Sequence, residues 1–215
     1  RHMGEKSLAL SQMLADPALK PAWDAYLAHL RRRGLIEIYK MEPERMVRFT
    51  EKYGQIDWRN PAAHALYWSA RGVEQALTRA TDETMKDYDF INTDRVVMQS
   101  LQELYRSGEM YFDYLDWESG QVATYIAIPN AHFIEPYHQL VTSGELLERN
   151  PLERTRERPY RVIAAGYENF LKDAVRYLYR RGQVREAEKW YMICATWEGA
   201  NRSEERRVGK ECRSR

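Results

Sequence analysis

The sequence predicts a mainly α protein, a helical bundle or short α-solenoid-like array carrying one small β-hairpin near residues 110–128. Three observations carry that expectation. Apolar residues recur every three or four positions along most of the chain, the spacing that lines one face of a helix. Glycine, proline and Asn/Asp residues sit where those stripes begin and stop. One stretch alone trades this pattern for aromatic and β-branched side chains around a turn signal.

Taken in order, residues 18–33 place Leu19, Trp23, Tyr26, Leu27 and Leu30 on one stripe, with Lys20, Asp24 and Arg31 to Arg33 off it. Gly34 then predicts a stop. A shorter helix over 43–53 carries Met46, Val47 and Phe49 between Pro43 and Gly54. The clearest start is Asn60-Pro61, a capping side chain followed by a proline suited to the first turn, and Ala63, Leu66, Tyr67, Ala70, Val73 and Leu77 continue it to about residue 80. After a polar connection over 81–89, Asn92-Thr93-Asp94 predicts a cap for a helix through Val97, Leu101, Leu104 and Tyr105 that halts at Gly108. Residues 111–117 and 121–128 read as two strands joined at Glu118-Ser119-Gly120, and two strands alone are marginal in water, so they are expected to lie on helices. A helix over 136–147 follows, then a mixed-charge stretch with two prolines over 149–159, then a helix pair over 161–181 and 184–197. The expected organisation is a helical domain over 1–150 with the hairpin inserted, a linker over 151–160, and the helix pair over 161–201, which a shared core could unite with the first domain.

The segment Leu171 to Ala195 (LKDAVRYLYRRGQVREAEKWYMICA) resembles a tetratricopeptide repeat, a helix-turn-helix unit of 34 residues. Gly182 falls at the turn glycine, Ala187 at the small residue of closest approach, Tyr191 at the aromatic one turn later and Cys194 at the next small position, while Leu171 and Leu178 take large apolar positions. Val175 and Gly199 depart from the pattern. The resemblance implies close crossing at Ala187, a groove beside it filled by Tyr191, and a role in binding protein. A second likeness concerns residues 202–215 (RSEERRVGKECRSR), which resemble a translated sequencing adapter. It implies a non-native tail and a natural chain that is a fragment of something longer, an expectation shared by the opening Arg1-His2-Met3.

Charge and cysteine content narrow the function classes. The chain holds 33 Lys+Arg and 32 Asp+Glu; six of the basic and three of the acidic residues fall in 202–215, which leaves 27 against 29. Charges so balanced and interspersed give no footprint for nucleic acid. Arg31-Arg32-Arg33, the one basic cluster, fits a solvated helix end favoured by the helix dipole. A mean hydropathy of −0.71 and the lack of a long apolar run argue against a membrane-spanning helix. Of the two cysteines, Cys212 lies in the tail and Cys194 in a predicted helix, so neither a disulfide framework nor a CxxC metal pair is expected.

No phosphate-cradling glycine loop, nucleophile elbow or HExxH helix is present, and no cofactor is implied. His132 and His138 are the nearest approach to a metal pair. On one helix they would stand about 120° apart and could not share an ion. Pro136 places His132 in a preceding loop, from which convergence stays open. The densest cluster of unusual side chains is Asp57, Trp58, Arg59, His64, Tyr67 and Trp68. It reads either as an aromatic-lined site with an arginine anchor for a carboxylate or an interface hot spot, or as a staple and cap fixing the chain's path into the next helix. The expectation is a non-catalytic helical scaffold that binds a protein or peptide, the alternative a small-ligand-binding or hydrolytic domain centred on that cluster.

Overall fold

A computed structural model describes residues 12, 15–79, 90–112, 125–149 and 161–197. Within them the protein is mainly helical with one small antiparallel hairpin. The chain divides into two compact units, Arg1–Phe49 and Thr50–Arg215, so the helix pair belongs to the same unit as the hairpin and the helices flanking it. The expected turn at 118–120, the linker over 151–160 and the tail over 202–215 lie outside the described residues. No helix among the described residues is long and apolar enough to cross a membrane.

In the first unit, α1 spans Lys20–Arg33, with Pro21 in its opening turn. Gly34 does not stop it. Its backbone stays helical at φ −57°, ψ −47°, and the chain runs on as a π-helical turn, Gly34–Ile38. A mid-helix glycine costs only about 1 kcal/mol, and no breaker follows it directly. Closure comes instead at Lys40, in the left-handed region at φ 55°, beside a bond from the Met41 amide to the Leu35 carbonyl at 2.9 Å. The apolar stripe of α1 is not buried: Leu19, Tyr26, Leu27 and Leu30 are exposed. Period alone fixes which side chains share a face; what covers that face is a tertiary matter. Helix α2, Pro43–Tyr53, runs from the first unit into the second; Met46, Phe49 and Tyr53 are buried, whereas Val47 faces solvent at 57%.

In the second unit, α3 (Pro61–Leu77) begins as the sequence predicts. The Asn60 side chain accepts from the Ala62 amide at 2.9 Å, and Pro61 occupies the first turn. The buried face is Ala62, Ala63, Leu66, Tyr67, Ala70 and Val73. It packs on α4, Ile91–Ser107. Here the expected cap shifts: Phe90 precedes the helix without a side-chain cap bond, and Asn92, Thr93 and Asp94 lie inside the first turn. Asp94 is buried there and suits the positive end of the helix dipole. At the other end Gly108 is a steric requirement, since a β-carbon on it would collide with the Leu104 carbonyl.

Strands β1 (Glu109–Phe112) and β2 (Tyr125–Ile128) pair antiparallel, with Glu109 opposite Ile128 and Phe112 opposite Tyr125. The first strand therefore starts two residues before the expected position. β2 lies against α4, and the chain leaving it is pinned by the Asn130 amide donating to the Tyr105 carbonyl at 2.7 Å and by the Tyr177 hydroxyl donating to the Pro129 carbonyl at 3.0 Å. A 3-10 turn, Ala131–Phe133, leads into α5, Ile134–Thr142. This helix opens ahead of Pro136, which its first turn tolerates because the missing N–H has no helical acceptor there. It breaks at Gly144, φ 84°, before the short α6, Glu145–Arg149.

Helices α7 (Arg161–Arg180) and α8 (Val184–Thr196) fold back on each other. Gly182 sits between them at φ 75°. The Gln183 amide reaches the Leu178 carbonyl at 2.9 Å and the Gly182 amide the Tyr179 carbonyl at 3.0 Å, the paired bonds of a Schellman closure. An aromatic seam then ties α4, α5 and α7 together. Phe170 lies 4.9 Å from Tyr105 and 4.4 Å from Tyr137, ring centre to ring centre.

Candidate functional site

Two places gather the side chains that could carry function, the entrance of α3 and the junction of α5 with the α7–α8 pair. At the α3 entrance the six candidate residues are drawn into local contacts. Asp57 and Arg59 form an ion pair, with Arg59 Nη2 2.6 Å and Nε 2.9 Å from the carboxylate oxygens. The hydrogen bond from Arg59 holds the Asp57 carboxyl below the usual carboxylate range against the opposing effect of burial. Trp58 donates its indole N–H to Thr50 Oγ1 at 3.2 Å, and His64 Nε2 meets the Trp58 carbonyl oxygen at 2.8 Å. Tyr67 is fully buried, edge-on to Trp58 at 6.2 Å and to Trp68 at 5.3 Å.

Asp57, Arg59, Asn60 and His64 each bond to the backbone or to a near neighbour in sequence around the α3 N-terminus. Asn60 extends the same network, donating through Nδ2 to the Ser107 carbonyl at 2.9 Å at the far end of α4. Asn60 caps the helix, and His64 bonds to the backbone of the segment leading into it. Trp68 differs, being 44% exposed with the Arg71 guanidinium 5.1 Å over its ring. A cation over an indole face is a common interface anchor.

The second place brings together residues that sequence spacing does not. His138 on α5 bonds through Nδ1 to the hydroxyl of Tyr167 on α7, 29 positions away. Its ring stacks on Tyr167 at 6.0 Å and meets the edge of Trp190 on α8 at 5.4 Å. Burial lowers the imidazole pKa, with Glu135 opposing and Lys189 assisting. Burial likewise raises the Tyr105 and Tyr137 hydroxyls to about 12, and that of Tyr167 further still, so all three remain protonated donors at neutral pH. Tyr137 takes up a bond from Gln102 at 2.7 Å. His132, by contrast, is exposed in the 3-10 turn, and among the described residues no three His, Cys, Asp or Glu side chains are grouped to hold a metal ion.

Around the α7–α8 turn, the positions singled out by the repeat resemblance separate into two kinds. Leu171, Leu178 and Ala187 are buried. Tyr191 is not the groove-filling aromatic; it is 62% exposed, and Trp190 takes the buried place. Likewise Ala174, fully buried, supplies the small residue of α7 that Val175 does not. A shift of one residue turns a helix by about 100°, enough to exchange an inward for an outward position. On α8, Val184, Tyr191 and Met192 are exposed to solvent, and so is Tyr179 at the end of α7.

Comparison with known proteins adds no relative: no family model, curated protein or solved structure matches the chain.

Proposed function

We propose that the chain is a non-catalytic helical scaffold that binds another protein or peptide, and that the α7–α8 pair, read as one tetratricopeptide-like unit, supplies the binding surface. One observation carries this reading. The pair buries Ala187 and Trp190 of α8 in its own core and leaves the nearby Val184, Tyr191 and Met192 exposed. Tyrosine and methionine are both enriched at interface cores, tyrosine for its rigid amphipathic ring and methionine for its adaptable thioether.

A photo-crosslinking residue placed at 191 or 192, with one at the exposed Arg95 as control, tests the proposal in cells that make the protein. A discrete protein captured from 191 and 192 but not from 95 is expected. Its capture should be lost when the neighbouring Val184 is replaced by Asp, with the helical spectrum unchanged. Equal labelling from all three positions, or none, would overturn the reading.

A further inference from the structure

His138 stands where three helices meet. Its own helix, α5, contributes Glu135; α7 contributes the buried Tyr167 hydroxyl; α8 contributes Trp190 and Lys189, whose ammonium lies 3.4 Å from Glu135 and 4.9 Å over the Trp190 ring. Cys194 of α8 contributes to the raised pKa of Tyr167, and Arg106 of α4 acts on that of the neighbouring Tyr137. The imidazole thus sits among the aromatic rings that join α5 to the α7–α8 pair, beside the Glu135–Lys189 ion pair.

We propose that His138 is a proton-operated latch that holds the α7–α8 pair against α5 when neutral and loosens α8 when it takes up a proton. Tyr167, fully buried, keeps its hydroxyl hydrogen and needs an acceptor for it. Neutral imidazole offers that acceptor at Nδ1, with the other nitrogen carrying the hydrogen. On protonation both nitrogens become donors, so N–H and O–H face each other across the bond. The hydroxyl must turn away and surrender its hydrogen to a neighbourhood of rings. The charge would also be partly desolvated with the Lys189 ammonium close by, while Glu135 opposes that effect.

The direction of the pH effect follows from this. Because the docked state holds the pKa below that of a free histidine, docking is fully present above the ordinary histidine range. It is lost progressively as pH falls from that range to the lowered value.

Backbone amide exchange of the full chain tests the latch, compared at about pH 7.5 and about pH 5.5, on either side of the ordinary histidine range, after correction for intrinsic rates. Expected is a rise in the opening of α8 with falling pH, at most about tenfold per pH unit for a single proton, with α4 unchanged. His138→Gln, which keeps an acceptor and a donor but cannot titrate, should make α8 insensitive to pH. The latch is overturned if α8 of the parent protein opens equally at both pH values, or if the glutamine variant keeps the same slope. Should that variant fail to fold, the imidazole resonances of His138 in the parent protein decide the matter: a midpoint at or above that of free histidine overturns it, and one below it supports it.

Discussion

Replacing Asn60 by alanine removes two separable interactions, and their sum can be worked out from the geometry. The side-chain oxygen caps α3 through the Ala62 amide at 2.9 Å, and loss of such a cap costs about 1 kcal/mol. The side-chain nitrogen donates to the Ser107 carbonyl at 2.9 Å, and removing it strands a partly buried acceptor at about 1 kcal/mol more. Asn60→Ala should therefore lose roughly 2 kcal/mol in urea unfolding, or roughly 4–8 °C in Tm for a unit of this size. Asn60→Ser retains a capping oxygen but is too short to reach Ser107, so it should lose about half as much. The two variants separate the cap from the bridge. If serine and alanine cost the same, the cap contributes nothing; if alanine costs under about 0.5 kcal/mol, Asn60 does not join α3 to α4 as argued.

Other consequences can be measured on the same footing. Gly182→Ala places a β-carbon in open space but at φ 75°, so its cost should be the backbone term alone, about 1 kcal/mol by urea unfolding, and Gly182→Asn should cost less because asparagine tolerates that region. Ala187→Leu forces extra methylenes into a 4% exposed site between α7 and α8 and should destabilise by roughly 1–3 kcal/mol, whereas Tyr191→Ala at an exposed position should stay within about 0.5 kcal/mol. Gly108→Ala must displace the Leu104 carbonyl at the end of α4, and a thermal scan should show a larger loss for it than for Gly182→Ala.

Helix starts marked by proline and a capping side chain were legible: Asn60-Pro61 opens α3, and Gly182 divides α7 from α8. Those signals are local, written in a few adjacent residues whose backbone preferences hold in almost any surroundings. Gly34 misleads because permissiveness is not a stop; glycine allows the left-handed turn without requiring it, and Lys40 makes that turn instead. The cap at Asn92 fails for a related reason. A polar residue in the first turn serves the dipole as readily as one at the cap, and spacing does not distinguish them.

The site residues divide along the same line. Asp57, Trp58, Arg59, His64, Tyr67 and Trp68 are neighbours in sequence, and a helix entrance was bound to gather them; which of them faced inward was a matter of packing. Nothing in the spacing joined His138 to Tyr167 and Trp190, because their meeting depends on how α7 and α8 lie across α5. By itself the sequence determined a mainly helical chain, its principal starts and turns, and which side chains share each helical face. Tertiary structure alone decided that the α1 stripe stays exposed while the α7 and α8 stripes are buried, and that Trp190 points inward where Tyr191 points out. The physical reason is that helical period is set by backbone hydrogen bonds within one segment, whereas burial is set by whichever other surface reaches it.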